Sequence, residues 1–213
     1  MIIDLSHAPV LRRGGKRSVF EHPTARNQLI KVLMPRTRKK EARRGLWERL
    51  TKPPYEWEYL RELRMVYEVT RRAGGIPRLP IVESAGLVRT TEGLGLSIER
   101  ITAPDGQLAP TMRDLLESGA FTAEHLRSLN HFVAEIYRLG VVANDLAPHN
   151  IVYEAATGHA IMIDGFGERT LIPLHLWSQR ANARHLDSRF ERYAAQYQGL
   201  RWDRARRSFH LET

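Results

Sequence analysis

Apolar and polar positions along the 213-residue chain fall into two regimes. Up to about residue 101 the apolar runs are short. Residues 10–13 and 17–20 flank Gly14-Gly15 as the arms of a hairpin would, and QLIKVL at 28–33 reads as a third strand. A helix is predicted over 56–72, with Leu60, Leu63, Val66 and Tyr67 on one face and Gly74-Gly75 at its end. Two further strands follow at 81–89 and 94–101, joined through Gly93. Beyond Ile101 the pattern changes. Pro104, Gly106 and Pro110 punctuate a linker, and Thr122 is placed to N-cap a helix striped by Leu126, Leu129, Val133, Ile136 and Tyr137. An irregular polar segment at 143–150 precedes short strands at 151–153 and 160–163, turning at Thr157-Gly158. The last fifty residues read as helical, with a stripe of Leu186, Phe190, Tyr193 and Tyr197; that stripe and Trp177 read as core. The expectation is an α+β chain of two parts, a strand-rich residues 1–101 and a helix-rich residues 102–213.

Composition narrows the classes. No apolar run approaches the roughly 18 residues of a membrane span, and MIIDLSHAPVLRR does not read as a secretory signal. Without cysteine there is no disulfide, thiolate metal site or cysteine nucleophile, and the expected compartment is the cytoplasm. The nine histidines form no metal-binding motif. The net charge is +9, and only five of the 33 basic residues are lysine. Such a surface attracts phosphates of nucleotides, nucleic acid or anionic lipid. The basic run Arg36, Arg38, Lys39, Lys40, Arg43 and Arg44 reads either as a solvated face or as a dock for an anionic partner, including peripheral contact with a membrane. Nucleic acid is the weaker case, because apart from Trp47 no base-stacking aromatic is interleaved with those charges.

Three features carry candidate chemistry. Lys31 lies inside LIKV, where an ammonium is costly unless a carboxylate pairs with it; taken alone it also reads as a snorkelling residue at a sheet edge. In Asn144-Asp145-Leu146-Ala147-Pro148-His149-Asn150, an Asp and an Asn five positions apart on a loop can converge, the Asp on a substrate hydroxyl and the Asn amide oxygen on a cation. The bland reading of Asp145 is a turn former or helix cap. Asp164 ends the apolar strand IMI beside Gly165-Phe166-Gly167, a place suited to Mg2+, which takes oxygen ligands.

In this order and spacing the residues resemble the protein-kinase-like fold. NDLAPHN resembles the catalytic loop, IDGFG the metal-binding segment with a glycine inserted, and LIKV the strand bearing the phosphate-binding lysine. Pro148 before His149-Asn150 is nearer to the aminoglycoside and sugar kinase branch. The chain more specifically resembles the YrbL family of PhoP regulatory network proteins. That likeness rests on Glu21-His22-Pro23, on Gly75-Ile76-Pro77-Arg78 and above all on the block 144–178, with GERTLIPL and Trp177-Ser178.

The resemblance implies a two-lobed kinase-like fold, with an antiparallel-sheet N-lobe carrying one main helix and a reduced, mostly helical C-lobe. It also implies an ATP and Mg2+ site. Lys31 would hold the α- and β-phosphates, and Glu62 would pair with it, Glu58 being the runner-up. Asp145 would accept the acceptor hydroxyl's proton, while Asn150 and Asp164 would hold the metal. Backbone groups of Glu99 and Ile101 would bind adenine. The loop over the phosphates would run through Gly14, Gly15 and Lys16, with Val19 above the base. His149 reads as a supporting residue. The implied reaction is phosphoryl transfer to a hydroxyl acceptor, a small molecule, sugar or envelope glycolipid before a protein side chain, and an anionic one fits the charge. The sequence departs from the pattern at Arg12, at Ala143-Asn144 and at Ala147, and only 49 residues follow Asp164. These departures fit a second reading, a pseudokinase serving as a nucleotide-responsive interaction module in a PhoP-type envelope-stress network.

Overall fold

The computed structural model describes residues 1–43, 45, 47, 54–168 and 174–212, with the backbone alone for Arg38 and Glu41. Arg44 of the basic run and residues 169–173 of the family-like block lie outside the described residues. The chain divides into two compact units, Met1–Leu63 with Glu83–Arg100, and Arg64–Val82 with Ile101–Thr213.

The first unit is built on five antiparallel strands, β1 (Val10–Arg13), β2 (Arg17–Glu21), β3 (Gln28–Leu33), β4 (Ser84–Thr90) and β5 (Gly93–Glu99), in the order β1-β2-β3-β5-β4. β3 is central and buried on both faces. Side chains alternate along a strand, so Ile30 and Val32 meet Leu5 on one face while Leu29, Lys31 and Leu33 share the other. β5 lies flush against β3 because position 95 lacks a side chain: a Cβ there would sit 2.8 Å from Ile30 Cγ2. The start of the basic run forms a short helix, α1 (Pro35–Ala42).

The second helix, α2 (Trp57–Ala73), buries Tyr59, Glu62, Met65, Val69 and Ala73. This corrects the expected apolar face, since Leu60 and Tyr67 are exposed. A helix can bury one arc only, and the arc holding Glu62 delivers a carboxylate to the buried Lys31. A second correction concerns the strand expected from residue 81. Ile81 bridges Met162 and Val82 N–H donates to Met162 C=O at 2.9 Å, so both belong to the second unit and β4 begins only at Ser84.

The second unit contains α3 (Met112–Glu117), α4 (Ala123–Leu139), a single 3-10 turn (Pro148–Asn150) and the hairpin β6 (Ile151–Glu154) and β7 (His159–Met162). It continues with α5 (Leu174–Trp177), α6 (Gln179–Ala194) and the hairpin β8 (Leu200–Asp203) and β9 (Ser208–Leu211). Thr122 caps α4, which ends at a left-handed Gly140. Its line of Leu129, Phe132, Val133, Ile136 and Leu139 is buried.

The C-terminal hairpin corrects the expected all-helical tail. Its strands are four residues each, too short to show a period of their own. An aromatic cluster holds them: Trp202 stacks on Phe190 with ring centroids 4.8 Å apart, and Phe209 lies 5.1 Å from Tyr193. Asn130 closes the arrangement, accepting from Phe209 N–H at 2.6 Å and donating to its C=O at 2.9 Å. Trp177, expected in the core, is exposed, whereas Tyr193 is buried. No helix among the described residues is long and apolar enough to cross a membrane.

Candidate functional site

In the first unit the site grows from Lys31 on β3. Its neighbours in register, Val19 on β2 and Leu96 on β5, fix it at the middle of the sheet. The residue is 4% exposed, a position that an ammonium tolerates only beside an anion. Glu62, 3% exposed, supplies that anion from α2: Lys31 Nζ donates to Oε2 at 3.1 Å. Glu62 is shared, because Arg17 Nη1 donates to Oε1 at 2.5 Å. Glu58, one turn earlier, instead accepts from Lys16 Nζ at 2.9 Å. The carboxylate facing Lys31 is therefore Glu62 and not Glu58.

The β1–β2 turn is held by its own backbone and by α1. Gly14 N–H donates to Arg17 C=O at 2.8 Å, Arg36 Nη2 to Gly15 C=O at 2.9 Å, and Thr37 Oγ1 to Lys16 C=O at 3.2 Å. The Lys16 ammonium also lies 5.3 Å from the centre of the Tyr55 ring. Lys16 thus already has an acidic and an aromatic neighbour. At the end of β5, Glu99 N–H donates to Glu83 C=O at 3.0 Å. Ile101, the first residue of the second unit's longer segment, accepts from Ala109 N–H through its C=O at 3.0 Å.

In the second unit two loops are laced together. Asn144 and Asp145 both donate their N–H to Gly165 C=O, at 2.9 and 3.0 Å, and Gly167 N–H donates to Val142 C=O at 2.8 Å. Ala143 bridges Phe166, and the Asn144 side-chain amide donates to Gly167 C=O. This contact needs the glycine at 165. Its φ is +82°, and a Cβ there would fall 2.7 Å from Asp145 Cβ and 2.8 Å from Asp145 O. The inserted glycine of IDGFG is where the two loops touch.

The β6–β7 register does the rest. Ile151 pairs with Met162, so Ile163 N–H reaches Asn150 C=O at 2.8 Å, and Asp164 follows one residue beyond that pair. Asn150 Nδ2 donates to Asp145 C=O at 3.0 Å, which commits the amide's donor side. Its Oδ1 accepts no hydrogen bond from a described residue. Asp164 Oδ1 accepts from Gly165 N–H at 2.6 Å.

Asp145 is exposed. Its N–H and C=O are both engaged, yet its carboxylate accepts nothing from a described residue. Nor does it cap the following turn, whose N-cap is Ala147 with no side-chain bond. The segments joined by these bonds carry a carboxylate on a pinned backbone at Asp145, an amide oxygen at Asn150 and a second carboxylate at Asp164. Oxygen donors of this kind suit a hard divalent cation. Among the described residues no three His, Cys, Asp or Glu side chains gather as a metal-binding set, so a cation here would draw its other ligands from substrate and water.

His149 receives a hydrogen bond at Nδ1 from Arg113 Nη2 at 2.8 Å. Several supports were not legible beforehand. Arg17 is a second cation on Glu62, a role with no spacing signature. His185 on α6 donates from Nε2 to Ala143 C=O at 3.1 Å, and Asn182 Nδ2 donates to Val141 C=O at 3.0 Å. These two side chains brace the approach to Asp145 from 41 and 42 residues beyond the carbonyls they bond, and only the packing of α6 reveals them. Burial, then Arg189 and His175, hold the His185 imidazole below the usual histidine range.

An antiparallel sheet with its lysine–glutamate pair, followed in the chain by a helical unit with the laced Asp145 and Asp164 loops, is the pattern of a kinase-like fold. A solved structure of WbdD in complex with the kinase inhibitor LY294002 superposes with a TM-score of 0.50 at 17% identity, over 88% of this chain and 37% of that one. The likeness is one of fold, and the chain spans little more than a third of that protein. A family model described as PhoP regulatory network protein YrbL matches residues 3–198, and the chain belongs to that family. Uncharacterized proteins YrbL of Escherichia coli K12 and of Shigella flexneri are each 26% identical to it over 205 residues, covering 92% of this chain and 88% of theirs.

Proposed function

We propose that this chain binds ATP with Mg2+ and transfers the γ-phosphoryl group to a hydroxyl acceptor. Asp145 takes the acceptor's proton as the phosphoryl group bonds to its oxygen and ADP leaves. Lys31, oriented by Glu62, neutralises the α- and β-phosphates, and Asn150 Oδ1 with Asp164 holds the cation. The cation supplies charge neutralisation on the phosphate oxygens. Backbone groups of Glu99 and Ile101 take the adenine, Val19 covers it, and Gly14 and Gly15 bring backbone close to phosphate. Phosphoryl transfer asks mainly for positioning and electrostatic stabilisation, and the chain carries side chains for both. With a net charge of +9 the fitting acceptor is anionic, a sugar or glycolipid headgroup with phosphate or carboxylate.

The observation that carries this reading is Asp145: an exposed carboxylate spent on no cap or turn, held on a backbone that is bonded at both its N–H and its C=O. The test is paired. Mg-ATP raises the melting temperature of the wild type, and Lys31→Met and Asp164→Ala lose that shift. Asp145→Asn keeps the shift and abolishes phosphate turnover. No shift and no turnover in the wild type would end the proposal.

A second reading, nucleotide binding without transfer, draws on Lys16. Its ammonium is held by Glu58 at 2.9 Å, and Ala147 offers no charge to a moving phosphoryl group. A nucleotide-induced shift in the wild type, with no ADP formed under any acceptor including the protein itself, selects it.

A further inference from the structure

The α2 helix turns a large apolar line to solvent. Trp57, Leu60 and Tyr67 are 47%, 49% and 64% exposed. With Arg64 and Arg71 they fall within an arc of roughly 80° on the helix. Arg64 lies at ion-pair distance from no described carboxylate, although its charge acts on Glu68 one turn on, and Arg71 shares Glu68 with Arg72 at 3.0 and 3.1 Å. Glu58 and Glu62, the helix's other acids near this line, turn to Lys16, Arg17 and Lys31. The outward stripe is thus aromatic, aliphatic and cationic, about 15 Å from Trp57 to Tyr67.

We infer that this stripe seats the protein on an anionic lipid surface. Trp and Tyr carry apolar rings with polar tips and settle at the headgroup level, while Arg reaches outward to phosphate. The charge is complementary: the stripe itself bears two guanidinium groups and the chain a net +9. Two other occupants fit less well. An antiparallel pairing of two copies of α2 centred on this line sets Arg64 against its own copy. A protein partner of standard interface size covers about 800 Å2 per side, whereas this line offers three large apolar side chains on one convex helix. A flat headgroup layer accepts that shape as it stands. The inference does not depend on nucleotide binding or on phosphoryl transfer.

The experiment is co-sedimentation of the full chain with vesicles of 70% phosphatidylcholine and 30% phosphatidylglycerol, beside pure phosphatidylcholine. Binding is expected to the anionic vesicles only and to weaken as salt rises. Trp57→Ser/Tyr67→Ser should lower the affinity at least tenfold, and Arg64→Glu/Arg71→Glu should abolish binding. All four positions are exposed, and circular dichroism with melting temperature checks that the variants fold. Arg201→Glu/Arg206→Glu, which changes the same number of charges on the β8–β9 hairpin, should alter affinity less than threefold. Brominated lipid should quench the wild type's tryptophan emission, and Trp57→Phe should remove most of that quenching. The inference is overturned if the anionic vesicles are not bound, if the hairpin variant loses binding as fully as the stripe variant, or if bromine quenching survives Trp57→Phe. It is overturned equally if equilibrium sedimentation shows a dimer that Tyr67→Ser dissolves.

Discussion

Glu62→Gln isolates the electrostatic centre of the first unit. The carboxylate serves two cations, Lys31 at 3.1 Å and Arg17 at 2.5 Å, and both it and Lys31 are buried. Removing one partner of a buried ion pair costs about 3–5 kcal/mol, and glutamine keeps the shape and one acceptor, which places the change near the low end, about 3 kcal/mol. For a chain of this length each kcal/mol moves the melting temperature by about 2–4 °C, so a fall of about 6–12 °C is expected. Lys31→Met is milder, about 1 kcal/mol or less, because an apolar side chain of similar length replaces the ammonium and Glu62 keeps Arg17. The assay is thermal unfolding by circular dichroism, without nucleotide, of the wild type, the two single variants and the double variant. In the double variant the glutamine should cost less than it does alone, with a coupling of at least about 1 kcal/mol. A Glu62→Gln protein melting within about 2 °C of the wild type, or strictly additive effects, would refute the view that this pair governs how α2 is seated on the sheet.

Further outcomes follow from the second unit. Gly165→Ala places a methyl 2.7 Å from Asp145 Cβ at a φ of +82°. The backbone strain alone costs about 1–2 kcal/mol. If Asp145 is the base, the displaced loop should lose about 100-fold in turnover, and a variant as stable and active as the wild type would remove the close approach from the account. His185 has its acidity set by burial, so the native imidazole resists protonation while the unfolded one accepts it. The unfolded state then binds more protons as pH falls below the unfolded value of about 6.5. Stability should therefore drop from pH 7 toward pH 5, and His185→Asn should flatten part of that slope while lowering stability at pH 7 through loss of the bond to Ala143. An unchanged slope would show that this ring does not contribute.

Much of the site was legible because its chemistry is local. Asp145, Asn150 and Asp164 stand at loop positions set by the flanking helix and strands, and a lysine inside QLIKVL asks for an acid wherever the strand lies. What could not be read is rotation and return. Leu60 and Tyr67 occupy a different arc of α2 from the acid Glu62, and the linear pattern cannot weigh a buried ion pair against exposed leucine and tyrosine. Ile81 looks like the start of a strand, yet its bridge to Met162 assigns it to the other unit.

The strand-rich first part, the helix capped by Thr122 and the loop positions of the candidate carboxylates Asp145 and Asp164 were thus determined by the sequence itself, since periodicity and turn chemistry act over a few residues. Tertiary structure alone decided the seating of α2, the lacing of Gly165 against Asp145, the bracing of Ala143 by His185 and the folding of the tail into an aromatic-backed hairpin. Each of these depends on burial and on contacts between residues far apart in the chain, where the cost of an unpaired buried charge or a misplaced methyl outweighs local preference.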